Sequence, residues 1–257
     1  MPAGGGKRVR VRDDFTVKDE RAWLWRVDGR ACFKVSDSVL RACVGPTEAL
    51  YYSNAELSDG EFEGVRWVEG SLRVRARFAG LGSHYGSAGF GFWNHSMRVD
   101  MSFPAWFILL KPYGKYPLQG LFAQLGNVFT PIKLFKPVGI YRALLSIAPF
   151  AAPIRIASGR EAAPDLSLSE WAEYGVVWSG GRAEFLINGD VVAELRASED
   201  LLKRASPLRC RVDVWIDNAV FQPVRGDAGR VFRHVTQEVR REACLEVDWL
   251  EVKGVVT

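Results

Sequence analysis

Residues 171–195, which read WAEYGVVWSGGRAEFLINGDVVAEL, constrain the fold of this chain more than any other stretch. They contain three strand-like runs separated by two short turns, at residues 179–181 and 188–189. An Asn-Gly pair between apolar runs is a strong hairpin signal, because a type I′ turn requires a positive φ at both central residues. The stretch therefore predicts two consecutive β-hairpins in an antiparallel sheet.

Short alternating runs occupy much of the remaining chain, at the spacing of 8–12 residues that is typical of sandwiches and barrels. SLRVRARFA at 71–79 alternates apolar residues with arginines, and LRCRVDVWIDNA at 208–219 alternates in the same way. SEDLLKRA at 198–205 predicts a short helix with Ser198 as its N-cap. The pattern predicts an all-β antiparallel fold, either a sandwich or a barrel, with one short helix.

The length of the chain allows one large β domain or two small ones, and no clear linker marks a second domain. The chain has 257 residues, 48% of them apolar, and a net charge of +4, which is too mild to indicate a nucleic-acid partner. We expect a flexible lead at 1–7 and a single β-sandwich domain at 8–257. The first residues lack the apolar core of a secretory signal, and no apolar run is long enough to span a bilayer, so the expected location is the cytoplasm.

The four cysteines show no metal-binding spacing. The sequence leaves open whether Cys32–Cys43 or Cys210–Cys244 are bonded, or whether the thiols are free and buried. Arginine is abundant and the side-chain amides are few, which fits a thermophile. Disulfides do occur inside cells of hyperthermophiles.

Residues 101–160 differ from the rest of the chain, because they contain seven basic residues and no acidic one. They are also rich in aromatic residues and proline, and we expect a long insertion at about 127–160. Three interpretations stay open: a lid over one sheet face, a surface for self-association into a homo-oligomer, and a contact with a membrane surface through 127–156. A simpler alternative is that 105–110 and 118–125 are ordinary buried strands.

Several stretches resemble a known superfamily, in the same order along the chain. They are Asp13-Asp14-Phe15, SLRVRARF followed by GFGFWNH, SLSEWAEYGVVWSGGRAEFLINGDVV, and CLEVDWLEVKG. These stretches resemble the concanavalin A-like lectins and glucanases, and most of all glycoside hydrolase family 16. The resemblance implies an all-β, two-sheet antiparallel β-sandwich of the jelly-roll type, with a carbohydrate or polyol ligand on its concave face.

The catalytic motif of that family is missing from its expected place. Family 16 enzymes carry their nucleophile and general acid on a strand shortly after the FW strand, as ExDxE or ExDxxE. Here that region reads RVDMSFPAWFILLKPYG and contains one carboxylate, Asp100. A retaining glycosidase needs two carboxyl groups about 5–5.5 Å apart. We therefore favour carbohydrate-type ligand binding without catalysis.

Two alternatives remain beside this prediction. Glu246, Asp248 and Glu251 form an ExDxxE pattern near the chain end, and a β-bulge would place all three on one face. They are the candidate carboxylates of a relocated glycoside hydrolase site. The second alternative is an interaction or self-assembly protein that uses the acid-free 101–160 surface.

The predicted ligand site lies on one face of two strands. The candidate ligand-binding residues are Trp93, His95, Asp213, Trp215 and Asp217. Indole rings stack on the C–H faces of sugars, and carboxylates accept hydrogen bonds from hydroxyls. Gly89 and Gly91 leave the face beside Trp93 bare, so that a ligand can approach the backbone. We expect no cofactor; Asp248 supplies one ligand for a structural calcium at most.

Overall fold

The computed structural model describes residues 6–60, 66–82, 84–94, 103–112, 118–135, 155–158, 160–205, 208–223 and 232–257. In chain order, the strands of these ranges are β1 (Lys7–Asp13), β2 (Leu24–Asp28), β3 (Ala31–Ser36), β4 (Val39–Val44), β5 (Asn54–Ser58), β6 (Trp67–Ala79), β7 (Gly86–Trp93), β8 (Ala105–Lys111), β9 (Gly120–Leu125), β10 (Val128–Leu134), β11 (Arg155–Ile156), β12 (Ala172–Ser179), β13 (Arg182–Ile187), β14 (Asp190–Arg196), β15 (Arg211–Asp217), β16 (Ala219–Pro223), β17 (Phe232–Thr236) and β18 (Ala243–Val256). The helix α1 spans Glu199–Arg204.

Two eight-stranded sheets make up the fold. Sheet A has the order β14-β13-β12-β6-β18-β4-β3. The first part of β18 pairs with β4, and its later part, from Leu250 to Val256, pairs with β1. Sheet B has the order β11-β10-β9-β8-β7-β15-β5-β2, and β16 and β17 form a separate ribbon. Among the described pairings, only β10–β11 is parallel. Within the described ranges, no helix has the length and apolar character needed to cross a membrane.

The core lies between the two sheets and follows from the alternation in the sequence. On β6, Leu72 and Val74 point into the core while Arg73 points outward. Phe90 of β7 in sheet B packs against Tyr174 of β12 in sheet A, with ring centroids 5.0 Å apart. The predicted two-sheet antiparallel sandwich is confirmed.

The hairpins expected at 171–195 form as β12, β13 and β14. Asn188 and Gly189 have φ values of 51° and 90°, so the turn between β13 and β14 has the two positive φ angles that the Asn-Gly pair predicts. The helix α1 begins after Ser198, whose side chain accepts a hydrogen bond from the Leu201 N–H. These local elements are set by the residues that the sequence places at each turn and cap.

The segment expected to be an insertion contributes strands to sheet B. Residues of β10 pair with β9 over most of its length, and β11 pairs with β10. The part of the 127–160 segment between residues 136 and 154 lies outside the described residues. The runs at 105–110 and 118–125 are buried strands, β8 and β9, as the simpler alternative predicts.

The disulfide joins Cys43 to Cys244, which is neither of the two pairings considered from the sequence. The two residues face each other directly across β4 and β18, with Cα atoms 4.1 Å apart. Cys32 and Cys210 are free. The sequence separation of 201 residues explains the difference, because no local pattern tells which distant strand will flank β4.

Candidate functional site

The outer face of sheet B, turned away from sheet A, carries a second apolar cluster. Its buried members are Trp106, Ile108, Leu110, Leu118, Phe122, Phe129 and Trp215. Three of these are the outward residues of β8, which lies near the middle of the sheet between β7 and β9. The strand that follows the FW strand therefore presents three apolar side chains on the outer face.

A tryptophan residue from each neighbouring strand occupies the space beside the β7 glycines. A Cβ on Gly89 would lie 2.7 Å from the Trp215 ring, and one on Gly91 would lie 2.5 Å from the Trp106 Cα. The Trp106 and Trp215 rings are themselves 4.5 Å apart. The glycine strip was expected to be open to a ligand. In the structure it accommodates tryptophans from the strands on both sides.

The polar half of the same face is a chain of alternating charges across β2, β5 and β15. The Arg211 guanidinium donates to the Glu56 carboxylate at 2.6 Å and pairs with Asp213 at 2.9 Å. Arg26 lies 3.8 Å from Glu56 and 2.9 Å from Asp28. Three strands that are far apart in sequence thus contribute to one ionic network.

Burial dominates the electrostatics at the inner end of this network. The side chains of Arg211 and Asp213 are each only 1% exposed. Burial raises the pKa of Asp213 well above its ordinary value; the Arg211 charge opposes this shift and the Glu56 charge adds to it. Both Glu56 and Asp213 are held by one guanidinium, so these carboxylates serve the network and are not presented as a free acid–base pair.

Asp217 forms a second buried polar group beside Trp215. Its carboxylate accepts hydrogen bonds from the Ser87 N–H at 3.0 Å, the Ser87 hydroxyl at 2.9 Å and the Ala219 N–H at 3.1 Å. Burial raises the pKa of Asp217 to about 7, against these hydrogen bonds. His84 lies 2.8 Å from the Asp217 carbonyl oxygen, and burial lowers the pKa of this imidazole to about 4.

The accessible end of the face lies at the sheet edge, on β2 and just before β5. The side chains of Arg26 and Asp28 are 37% and 34% exposed, and Tyr52 is 37% exposed. Partial burial and the nearby charges of Asp217 and Glu56 raise the pKa of Tyr52. An aromatic ring, a cation and a carboxylate therefore meet at a place that solvent reaches.

The structure places four of the five ligand residues that the sequence predicts, and they differ in burial. Asp213, Trp215 and Asp217 lie on one face of β15, as expected, and all are buried. Trp93 is half-buried on the same face, with its ring 5.5 Å from the Arg211 guanidinium. His95 lies outside the described residues. The structure thus brings four of the five onto one face, and a ligand-binding role for them stays a prediction.

Sequence reasoning missed the residues of β2 and β5 that complete this face. They are Arg26, Asp28, Asn54 and Glu56. The period-2 alternation of polar residues in LWRVD and NAELS was the available signal. It is weak, because each run is only five residues long and nothing local indicates that both strands flank β15.

The carboxylates of the relocated-site alternative lie on the outer face of the other sheet. The register of β18 against β6 shifts between Val247 and Trp249, so Asp248 is a bulge residue and shares a face with Glu246 and Glu251. The bulge that this alternative requires is therefore present. Its face is the outer face of sheet A, on the opposite side of the sandwich from β8.

Arginines bind all three of these carboxylates. Glu246 accepts hydrogen bonds from Arg41 at 3.0 Å and from Arg77 at 2.6 Å. Asp248 forms an ion pair with Arg75. Glu251 forms ion pairs with Arg10 and Lys253. A calcium site needs six to eight oxygen ligands. Among the described residues, the only group of three His, Cys, Asp or Glu side chains close enough to share a metal ion is Cys32, Cys43 and Glu242, which does not include Asp248.

Comparisons with known proteins show the fold. A pseudo β-1,3-glucanase of Mycobacterium tuberculosis, which is an immunostimulatory antigen, superposes with a TM-score of 0.56 at 12% identity, over 98% of this chain and 99% of that one. The catalytic domain of an endo-1,3-β-glucanase from Thermotoga petrophila superposes with a TM-score of 0.53 at 10% identity, over 97% and 99%. The chain therefore shares the two-sheet sandwich fold of these proteins.

A third structure is that of a variant of the protein LamA from Zobellia galactanivorans in complex with laminaritriose and laminaritetraose. It superposes with a TM-score of 0.52 at 13% identity, over 97% of this chain and 100% of that one. No family model matches the sequence. No curated protein matches it either.

Proposed function

We propose that this concanavalin A-like sandwich binds a carbohydrate or another polyol on the outer face of sheet B, without hydrolysing it. The observation that carries the proposal is the contrast between β8 and the β2–β5 edge. The outward positions of β8 are Trp106, Ile108 and Leu110, which can neither attack a glycosidic bond nor protonate it. Polar and aromatic groups gather at the exposed edge instead.

The edge offers the contacts that a polyol needs. A carboxylate such as Asp28 accepts hydrogen bonds from hydroxyls, and the Arg26 guanidinium donates to ring and hydroxyl oxygens. The Tyr52 ring offers an apolar surface for the C–H face of a sugar. The ionic network behind them, centred on Arg211, holds Glu56 in place and limits the rearrangement that ligand binding would cost. Similar solved structures include a protein in complex with laminaritriose, which supports a glucan as the first ligand to test.

Binding and turnover can be measured separately. We expect a glycan array and calorimetry with laminaritriose to detect binding, and an assay for reducing ends to detect no hydrolysis of laminarin. Asp28→Ala and Tyr52→Ala are each expected to weaken binding about tenfold, which corresponds to about 1.4 kcal/mol. Glu173→Ala on the outer face of sheet A is the matched control and should bind as the wild type does.

Two outcomes would contradict the proposal. Binding that Asp28→Ala and Tyr52→Ala leave unchanged would exclude the β2–β5 edge as the ligand site. Turnover of any polysaccharide that Glu246→Gln or Glu251→Gln abolishes would assign catalysis to β18. That second result would establish the relocated glycoside hydrolase in place of a binding protein.

A further inference from the structure

Three cysteines lie in one row across neighbouring strands of sheet A. Cys32 of β3 faces Cys43 of β4, and Cys43 faces Cys244 of β18. Cys43 and Cys244 form the disulfide, and Cys32 is a free thiol. The sulfur atoms of Cys32 and Cys43 lie within 4.8 Å of each other. A free thiol therefore stands next to a disulfide, one strand away.

The row has the geometry of thiol–disulfide exchange. In that reaction a thiolate attacks one sulfur of a disulfide, and the other sulfur leaves. Directly opposed residues on neighbouring antiparallel strands are about 4.5–5.5 Å apart, in a line that runs across the strands. Because Cys43 is the middle residue of the row, Cys32 and Cys244 lie on opposite sides of it, one on each neighbouring strand.

We infer that Cys32 and the Cys43–Cys244 disulfide form a thiol–disulfide exchange site, with Cys32 as the attacking sulfur. Cys32 loses its proton, its sulfur bonds to the Cys43 sulfur, and the bond between Cys43 and Cys244 breaks. Cys244 leaves as a thiolate and takes up one proton. One thiol and one disulfide are present before and after the step, so it requires no external oxidant or reductant.

The exchange changes which strands are linked covalently. In the structure, the disulfide ties β4 to β18 across a sequence separation of 201 residues. After the exchange, the link between Cys32 and Cys43 joins only the two strands of the β3–β4 hairpin. The last strand of the chain would then be held in sheet A by hydrogen bonds and packing alone.

The surroundings make Cys32 the point of entry for external reagents. Cys32 is half-buried, whereas Cys43 is 0% exposed and Cys244 is 8% exposed. A Glu242 carboxylate oxygen lies within 4.8 Å of the Cys32 and Cys43 sulfurs, and the Lys34 ammonium binds this carboxylate at 2.8 Å. The sulfur row thus opens to solvent beside a charged pair.

The test is a disulfide map of the full-length oxidised protein after incubation at mildly alkaline pH and alkylation with N-ethylmaleimide. Acid quenching before unfolding prevents exchange during the digestion. We expect two isomers, with label on Cys32 in one and on Cys244 in the other, together with a Cys32–Cys43 peptide. Cys210→Ser is the matched control and should show the same two isomers, because Cys210 lies in the core between the sheets.

Two variants sharpen the test. Cys244→Ser should form the Cys32–Cys43 disulfide in a glutathione redox buffer, and Cys32→Ser should retain Cys43–Cys244 with no label on either residue. Label confined to Cys32 in the wild type would overturn the inference. So would a folded Cys244→Ser protein with two free thiols in the row. If Cys244→Ser does not fold, the disulfide map of the wild-type protein still decides between the two outcomes.

Discussion

The outer faces of the two sheets present charged and aromatic residues in opposite ways. On sheet A, arginines are exposed; the Arg73 side chain is 51% exposed where it binds Glu173. Arg73 also lies 5.5 Å from the Trp249 ring, so an exposed arginine of this face makes both an ion pair and a cation–π contact. On sheet B, Arg211 and Asp213 form an ion pair that is almost completely buried.

The difference shows that alternation does not determine the exposure of a charge. LRVRARF on β6 and RVDVWID on β15 follow the same period-2 pattern. The first pattern sends its charges to solvent and the second sends them into a buried network. An exposed ion pair contributes about 0–1 kcal/mol, whereas removing one partner of a buried pair costs about 3–5 kcal/mol. The two faces should therefore respond differently to the same kind of substitution.

The largest expected effect comes from Asp213→Ala. This substitution leaves the buried Arg211 charge with one carboxylate fewer, and we expect the free energy of unfolding to fall by about 3–5 kcal/mol. Glu173→Ala removes the partner of Arg73 on sheet A and should cost at most about 1 kcal/mol. Urea denaturation of both variants measures the difference. Equal losses would remove the energetic distinction between the faces.

The next effect concerns the pH dependence of stability. Burial raises the pKa of Asp217 from 3.8 to about 7. Between these values the folded protein retains a proton that the unfolded chain has released, so the free energy of unfolding falls as the pH rises from about 4 to about 7. We expect this group to account for a loss of about 2–4 kcal/mol, given 1.36 kcal/mol for each pKa unit.

Asp217→Asn should remove this slope, and the difference between wild-type and variant stability from pH 4 to 7 measures it. Glu251 on sheet A should change the free energy of unfolding with pH in the opposite direction. Burial acts to raise its pKa, but hydrogen bonds from Lys253 and Arg10 outweigh that effect, and the pKa lies below 4.5. Its contribution to stability is present above the unfolded pKa and is lost as the pH falls. If the difference in stability between the wild type and Asp217→Asn does not change from pH 4 to 7, the prediction for Asp217 is wrong.

Local residue patterns were sufficient to predict an all-β antiparallel fold, and the family resemblance selected a two-sheet sandwich rather than a barrel. The Asn188-Gly189 turn, the Ser198 cap and the alternation on β6 each act over a few residues, so they can be read without knowing the partner strands. Pairing over long distances cannot be read in this way. The bond between Cys43 and Cys244 is the clearest example, because it depends on β18 lying between β4 and β6.

The candidate site was predictable only in part, for the same reason. The alternation on β15 identifies Asp213 and Trp215 as sharing one face. It does not reveal that Glu56 and Arg26 come from distant segments to neutralise and cover that face. Nor does a strand of alternating glycines indicate whether a ligand or a tryptophan will occupy the space. At Gly91 the occupant is Trp106, which comes from the neighbouring strand.

A smaller effect is expected where the two faces differ in packing. A Cβ added at Gly91 would lie 2.5 Å from the backbone of the neighbouring strand, so Gly91→Ala should destabilise the protein by about 1–3 kcal/mol. Gly175 on the outer face of sheet A is the matched control. There the nearest atoms belong to the Leu186 side chain, 3.3 Å away, which can shift more easily than a backbone, so Gly175→Ala should cost less than Gly91→Ala. Urea denaturation of the two variants measures the difference. Equal stability of Gly91→Ala and Gly175→Ala would contradict the prediction.

The smallest effect should come from Asp248→Asn. Asp248 pairs with Arg75 at the β18 bulge, and Arg75 is also held over the Trp171 ring, with its guanidinium carbon 5.4 Å from the ring centroid. Because water surrounds the pair and the indole keeps Arg75 in position, the substitution should cost less than about 1 kcal/mol. That cost should shrink in about 1 M salt, where charges are screened beyond about 3 Å. The measurement is urea denaturation at low and high salt, with Asp213→Asn as the buried counterpart. A cost for Asp248→Asn that is large and independent of salt would mean that water does not screen this pair, and the outer face of sheet A would then resemble that of sheet B.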